Sequence, residues 1–216
     1  MKRFLVLSCS VAISALFFHA CSSSDDSMID APLTRADAVS EKIVFQDDFN
    51  QADSIPDRNK WSLCKKGSPA WSKYLSESYD QAYVHDGKLV LVAEKVNGVY
   101  KTGGVQSLGK AEFQYGKIEI CARFTKTAKG GWPAIWMMPA KPVYSGWPAC
   151  GEIDIMEQLN HDGIVYQTIH SHYKNDLGFT KPVPTKTVSY NKGQFNIFGI
   201  EWTPEALTFK VNGATT

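Results

Sequence analysis

Hydrophobic and polar residues alternate in short segments along the chain from about residue 43 onward. In KIEICARF the residues Ile118, Ile120, Ala122 and Phe124 occupy every second position, which is the pattern of a strand with one buried face. Similar segments follow, separated by Pro, Gly or Asn, and no stretch shows a convincing helical period. Many short strands with turn signals between them predict an all-β sandwich.

Two Asx-Gly pairs predict hairpin turns. Asp86-Gly87 lies between two runs that are rich in branched and aromatic residues. Asn212-Gly213 follows ALTFKV, but only three residues come after it, so a returning strand is expected to have no room. The sequence therefore predicts a fragment that lacks the last strands of the sandwich. With unpaired edges, the 216-residue chain is expected not to fold stably alone.

The N-terminal segment has the features of an export signal. Lys2 and Arg3 precede the apolar run FLVLSCSVAISALFF, which is too short to cross a bilayer as a stable helix. The run ends at HAC, so Cys21 is predicted to become the lipidated first residue of a bacterial lipoprotein. The alternative is plain secretion with cleavage after Ala20. The acidic residues after Cys21 resemble the surface-export signal of lipoproteins in Bacteroides-like bacteria.

This signal sets the domain boundaries. Residues 1–21 are predicted to be the lipoprotein signal peptide, and the polar, aperiodic residues 22–41 a flexible tether. Residues 42–216 are predicted to form one domain, which touches the membrane only through the lipid at Cys21. The location expected is the bacterial outer membrane, with the domain exposed at the cell surface.

Composition is that of an ordinary globular domain. The net charge is +1 and 44% of the residues are hydrophobic, so the chain offers no argument for nucleic acid as a partner and is compatible with a neutral substrate. Cys64, Cys121 and Cys150 remain after the signal segment, so one disulfide at most is expected. A monomer is expected.

The segment GEIDIME, residues 151–157, concentrates three carboxylates within six positions. On a strand, Glu152 and Asp154 share one face, but Glu157 has the opposite parity and would point into the core. Burying an unpaired carboxylate is costly. One extra residue, a β-bulge near Ile155 or Met156, would restore Glu157 to the acidic face, and the sequence predicts that bulge.

Closely spaced carboxylates suit glycosidic bond cleavage. Like charges prevent them from ionising together, so one becomes an acid while another stays a base. The alternatives are a solvated strand face or a calcium site. Three tryptophans beside the motif are candidate sugar platforms, one or two of which are expected to serve as such: Trp132, Trp136 and Trp147. The other three are assigned to the core by default: Trp61, Trp71 and Trp202.

GEIDIME, with WPAIWMMP upstream and IEWTPEALTFKVNG downstream, resembles glycoside hydrolase family 16, in particular its laminarinase-like members. The resemblance covers about residues 43–216 and implies a concanavalin-like β-jelly-roll with a concave cleft that cuts β-glucan internally with retention of configuration. It implies that Glu152 is the nucleophile and Glu157 the acid/base, with Asp154 hydrogen-bonded to Glu152.

The resemblance also implies a role for one histidine. The family carries a TxH element on the strand after the motif, and Thr168-Ile169-His170 matches it, so His170 is expected to contact the sugar near the cleaved bond. His170 and His172 are predicted to lie on the same face of that strand. They lack the third ligand that a zinc site requires, so no catalytic metal is expected.

The substrate is left open. Laminarinase-like members often carry an arginine where this chain has Gly104 or Val105. The candidates are β-1,3-glucan, mixed β-1,3/1,4-glucan and a galactan such as agar or porphyran. A non-catalytic glucan-binding lipoprotein is the alternative to an enzyme. No cofactor is expected to be required; structural calcium at Asp47 and Asp48 is the alternative to plain surface charge.

Overall fold

A computed structural model describes residues 42–216 in full and the backbone of residues 4–15. The first eight strands are β1 (Phe4–Ala15), β2 (Lys42–Asp47), β3 (Ser62–Leu63), β4 (Ala82–Val84), β5 (Leu89–Val96), β6 (Val99–Thr102), β7 (Val105–Gln106) and β8 (Gly116–Phe124). The remaining elements are β9 (Ala134–Met137), β10 (Glu152–Glu157), β11 (Ile164–His170), α1 (His172–Asn175), β12 (Thr185–Ser189), β13 (Asn196–Trp202), β14 (Leu207–Val211) and β15 (Ala214–Thr215).

Two antiparallel sheets face each other. In the described residues the larger sheet runs β15-β14-β13-β8-β1-β5-β4, with β2 paired to β1 and β6 paired to β5. The smaller one, which we call the cleft sheet, runs β12-β11-β10-β9. A further pair, β3 and β7, stands apart from both. The predicted all-β sandwich is confirmed.

The core lies between the two sheets. Strand β8 supplies Ile118, Ile120, Ala122 and Phe124, all buried, while the residues between them are partly exposed, so the predicted alternation is confirmed. The cleft sheet contributes three buried residues of its own: Ile155, Met156 and Val165. Removing these apolar side chains from water is the main favourable term holding the sheets together.

Both predicted hairpin turns are present. Asp86 and Gly87 have φ of 51° and 65° between β4 and β5, the left-handed pair that a two-residue hairpin requires. Asn212-Gly213 turns β14 into β15. The expectation that no strand returns after this turn is wrong, because Ala214 and Thr215 pair with β14. Two residues are enough for one step of an antiparallel ladder.

Residues Phe4–Ala15, within the segment assigned to the export signal, form β1 in the larger sheet. This strand pairs with β8 on one side and with β5 and β2 on the other. The signal-peptide assignment stays a prediction: cleavage before Cys21 would remove a strand that three others contact. Cys21 and the tether of residues 22–41 lie outside the described residues. No helix in the described part of the chain is long and apolar enough to cross a membrane.

Candidate active site

Strand β10 contains the predicted bulge. Asp154 lies opposite Thr168 of β11, and Glu157 lies opposite Tyr166. Between these two pairs β10 advances by three residues while β11 advances by two. The register against β9 shifts between Asp154 and Met156. The prediction of one extra residue near Ile155 or Met156 is therefore confirmed.

The bulge sorts the side chains of β10 by polarity. Ile155 and Met156, consecutive in the chain, are both 1% exposed and belong to the core. Glu157 consequently returns to the parity of Glu152 and Asp154. Three carboxylates line one face of the cleft sheet.

Each of the two outer carboxylates of the row, Glu152 and Glu157, accepts a hydrogen bond from an indole N–H. Nε1 of Trp132 donates to Oε1 of Glu157 at 2.6 Å, and Nε1 of Trp147 donates to Oε2 of Glu152. Trp132 and Trp147 are 52% and 61% exposed, so neither is a core residue. Both expose an aromatic surface to solvent beside the carboxylate row, as a sugar platform requires.

Asp154 lies in the middle of the row and is 3% exposed. Burial raises the pKa of Asp154 to about 8, and the charges of Glu157 and Glu152 and a hydrogen bond to Glu152 act in the same direction. Asp154 is therefore protonated at neutral pH. A protonated carboxyl can donate, so Asp154 can supply the proton of its hydrogen bond to Glu152.

The pKa of Glu157 is also raised. Burial is the largest cause, the hydrogen bond from Trp132 lowers the pKa, and the charge of Glu152 raises it. A carboxyl with a raised pKa is suited to donate a proton near neutral pH. The row thus combines two groups with raised pKa values, Asp154 and Glu157, with Glu152, which receives hydrogen bonds from Trp147 and Asp154.

His170 lies opposite Glu152 on β11. Its Nε2 is 3.4 Å from Oδ2 of Asp154, and its ring centroid is 5.3 Å from that of Trp147. Burial lowers the pKa of His170; Glu152 raises it and Lys174 lowers it. A neutral imidazole beside a protonated Asp154 extends the polar row onto the next strand, where the TxH match placed this histidine.

Trp136 and Trp71 form a further aromatic pair at the cleft. Trp136 lies opposite Asp154 on β9, and directly opposite residues share a face. The ring of Trp71 contacts it edge-on at 5.2 Å and 72°, and Trp71 is 49% exposed. The assignment of Trp71 to the core is wrong. Its position in the loop segment KKGSPAWSKY, among Gly, Pro and Ser, was a signal for exposure.

The other default core tryptophans differ. Trp61 packs between Phe45 and Phe49 against the core, as expected. Trp202 is only partly buried and contacts Tyr115 edge-on. The surroundings of Trp61 also correct the assignment of Asp47 to surface charge, since Asp47 is buried and accepts the Trp61 indole N–H at 2.8 Å.

His172 does not share a strand with His170. Strand β11 ends at His170, and Ser171 caps the short helix α1, its hydroxyl accepting from the Lys174 amide. His172 instead stacks on Tyr144 at 4.6 Å and 20°, and its Nδ1 lies 2.6 Å from Oδ2 of Asp176. In residues 42–216 no group of three or more His, Cys, Asp or Glu side chains is arranged to hold a metal ion.

The comparisons with known proteins identify the family. The model of glycosyl hydrolases family 16 matches residues 71–216. The chain belongs to glycosyl hydrolase family 16. The laminarinase-like resemblance is confirmed by the solved laminarinase of Rhodothermus marinus, which covers 78% of this chain and 70% of its own at TM-score 0.67 and 29% identity. The jelly-roll fold that the resemblance implied is confirmed with it.

Two other relatives are more similar in sequence. The keratan-sulfate endo-1,4-beta-galactosidase of Sphingobacterium multivorum is 36% identical over 181 residues, covering 80% of this chain. A structure described among endo-acting O-glycanases, which prominent human gut bacteria express to initiate mucin breakdown, is 36% identical. It has TM-score 0.70 and covers 81% of this chain and 73% of its own. This family 16 chain spans 42% of the length of the galactosidase.

The raised pKa of Asp154 predicts a pH dependence of stability. The native state keeps a proton that the unfolded chain releases above the ordinary value of 3.8. The stabilising contribution of this carboxyl is therefore complete below about pH 4 and is lost as the pH rises to about 8. The melting temperature of the wild type should fall across that interval, and Asp154→Asn, which keeps a donor but does not titrate, should remove part of the fall.

Melting curves of both proteins between pH 4 and pH 9, by circular dichroism, make the comparison. Asp80→Asn, on the exposed loop before β4, is the matched control and should follow the wild type. Parallel curves for wild type and Asp154→Asn would show that Asp154 is ionised in the native state.

Proposed function

We propose that this family 16 protein is an endo-acting glycoside hydrolase that cleaves internal β-linkages of a polysaccharide with retention of configuration. The observation that carries the proposal is the bulge in β10, which brings Glu152, Asp154 and Glu157 onto the exposed face of the cleft sheet. A carbohydrate acid/base pair needs carboxyl groups on one surface with unequal proton affinities, and this surface has both.

In the first step Glu157 acts as the acid. Its raised pKa keeps a proton available, which passes to the leaving glycosidic oxygen. An oxygen of Glu152 forms a bond to the anomeric carbon while the bond to the leaving oxygen breaks. The product is a glycosyl ester of Glu152 and a free chain end.

In the second step Glu157, now ionised, takes a proton from water. The water oxygen attacks the anomeric carbon and Glu152 departs as a carboxylate. Asp154 and Trp147 assist this departure, because their hydrogen bonds to Glu152 are stronger when it carries the negative charge. Two inversions at one carbon give net retention.

Aromatic surfaces along the row support action within a chain rather than at its end. Trp132 donates to Glu157 and Trp147 donates to Glu152, so an exposed ring lies beside each of the two carboxyls at the ends of the row. The pair Trp71 and Trp136 adds a third surface on the neighbouring strand, beside the middle of the row. A substrate that continues in both directions from the cleaved bond can use all three.

Two substrate classes have support. The likeness to a laminarinase favours β-1,3-glucan or mixed β-1,3/1,4-glucan. A glycan of β-linked galactose is the second class, favoured by the higher identity to a keratan-sulfate galactosidase. Gly104 also favours this class over a glucan, because it stands where laminarinase-like members often carry an arginine. A Cβ added at Gly104 would lie 3.2 Å from Leu75 and 3.3 Å from Cys64, which leaves little room for that arginine.

A non-catalytic glucan-binding role explains less of the site. A binding surface needs aromatic platforms and hydrogen-bonding groups, which this cleft has. It has no use for three carboxylates in one row, the middle one with a pKa that burial, and after it the charges of Glu157 and Glu152, raise to about 8. Placing like charges together costs free energy, and catalysis is the function that uses the resulting division between acid and base.

Glu152→Gln tests the reaction directly. The amide keeps the size of the side chain but cannot attack the anomeric carbon, so kcat should fall by at least about a thousandfold while binding is largely retained. Product analysis by chromatography would use laminarin, barley mixed-linkage glucan, lichenan, agarose and keratan sulfate. Glu205→Gln, on the exposed turn before β14, should keep wild-type turnover.

Undiminished turnover of Glu152→Gln would refute the assignment of the nucleophile. If the wild type binds one of these polysaccharides but releases oligosaccharides from none of them, the non-catalytic alternative is favoured.

Trp132→Phe tests the acid/base assignment. Loss of the indole N–H removes an interaction that lowers the pKa of Glu157, so this pKa should rise. The acid form would then persist to higher pH, and the alkaline limb of the plot of kcat/KM against pH should move to higher pH. Trp202→Phe, outside the cleft, is the control and should leave the limb in place. An alkaline limb that is unmoved or shifted downward in Trp132→Phe contradicts the role of Glu157.

We further propose that the protein is an outer-membrane lipoprotein, lipidated at Cys21 and exposed at the cell surface. Its support is the charged start, the apolar run and the acidic residues after Cys21. In a bacterial host fed a labelled fatty acid, the wild-type protein should take up the label and Cys21→Ala should not. Labelling of neither would leave plain secretion after Ala20 as the assignment, and equal labelling of both would place the lipid at a residue other than Cys21.

A further inference from the structure

Two loops meet at the Glu152 end of the carboxylate row. Residues 138–151 connect β9 to β10, and residues 171–184 connect β11 to β12. The stacked rings of Tyr144 and His172 join them. We call this pair of loops the Glu152 rim, because Trp147, which donates to Glu152, belongs to the first loop and the second begins directly after His170.

The Glu152 rim has an excess of positive charge. Its ionisable acids and bases include three lysines, Lys141, Lys174 and Lys181, and a single carboxylate, Asp176. Asp176 is engaged by His172 at 2.6 Å and is not directed at a lysine within ion-pair distance. Lys141 lies 3.9 Å from Glu112 with its side chain 90% exposed, a pair of little energetic weight.

Lys174 differs from the other two lysines in burial and position. It is half-buried, whereas Lys141 and Lys181 are exposed. It is the third residue of α1, and its backbone amide donates to the hydroxyl of Ser171, the residue that follows His170. Its charge is felt at the site, since it contributes to lowering the pKa of His170.

The ammonium group of Lys174 has no carboxylate within ion-pair distance among residues 42–216. A cation that loses part of its hydration without gaining a partner raises the free energy of the folded state. The three catalytic-face carboxylates do not relieve this, as none of them forms an ion pair with it. An anion arriving from outside the protein would supply the missing partner.

We propose that Lys174 is a specificity-determining residue that binds an anionic substituent, a sulfate ester or a carboxylate, on the sugar unit at the Glu152 end of the cleft. This rests on the proposed function, because it assigns the substituent to a glycan that crosses the carboxylate row. Lysine binds such groups as a point charge with three donors, and the exposed ring of Trp147 on the same rim would hold the sugar to which the anion is attached.

The location of the charge follows from electrostatics. A negative substituent directly over the row would be repelled by Glu152, whose charge is needed for attack. At the rim the same substituent is farther from this carboxylate and closer to Lys174, and the energy of both interactions varies inversely with distance. The substrate class that fits is a polysaccharide with charged groups spaced away from the cleaved bond.

The experiment compares matched glycans and matched lysine variants. Binding of keratan sulfate and chemically desulfated keratan would be measured by affinity electrophoresis in the Glu152→Gln background, where neither glycan is consumed. Lys174→Ala should weaken binding of the sulfated glycan about tenfold, the effect of losing about 1.4 kcal/mol. It should leave binding of the desulfated glycan unchanged. Lys174→Arg should restore most of the difference, and Lys181→Ala, on the same loop, should bind both glycans normally.

A second pair of glycans, sialylated and enzymatically desialylated, identifies the anion. If Lys174 is needed for tighter binding of the sialylated glycan but not of the sulfated one, the anion that it binds is a carboxylate. If it is needed only for tighter binding of the sulfated keratan, the anion is a sulfate ester. Equal losses on charged and uncharged glycans in Lys174→Ala, or no preference for charge in the parent protein, would overturn the proposal. Absence of hydrolysis by the wild type would overturn the proposed function while the binding comparison still decides the role of Lys174.

Discussion

One extra residue in β10 is the constraint on which the site depends. A regular strand would place Glu157 among the aliphatic side chains of the core, where an unpaired carboxylate is costly. The bulge instead buries Ile155 and Met156 side by side and returns Glu157 to the cleft face. The same residue therefore satisfies the core and completes the acidic row, so the packing of the sandwich and the chemistry of its surface cannot be separated here.

The proposed chemistry of the row depends on the unequal surroundings of chemically similar groups. Asp154, buried between two carboxylates, keeps its proton, while Glu152 receives hydrogen bonds from Asp154 and from the Trp147 indole. The indoles donate without bringing a positive charge, so they orient both outer carboxyls while leaving their mutual repulsion in place. Burial, together with that repulsion, raises the pKa values of Asp154 and Glu157, and this gives the unequal proton affinities that the proposed acid and nucleophile need.

The ends of the cleft are built differently from its floor. Hydrogen-bonded register fixes the floor, and the positions of Trp136, Thr168 and His170 around the row follow from strand pairing. The rims are loops, held by side-chain stacking such as that of Tyr144 on His172. Loops tolerate sequence change more readily than the sheet they connect, which fits the different activities in the names of this chain's relatives, a laminarinase and a galactosidase.

Sequence alone determined the features that depend on near neighbours along the chain. The alternation in β8, the turns at Asp86-Gly87 and Asn212-Gly213, and the need for a bulge before Glu157 were all predicted from local pattern, because strand parity and turn geometry are properties of a few consecutive residues. The carboxylate row was predicted from that parity, and the tryptophans and histidine beside it from nearby sequence and a family motif.

Tertiary structure alone decided which distant residues meet. The contact of Trp71 with Trp136 and the burial of Asp47 under Trp61 have no local signature. His172 left the strand because Ser171 could cap a helix, a competition between two local structures that packing resolved. Where a side chain ends up relative to solvent depends on what covers it, and the covering residues come from elsewhere in the chain.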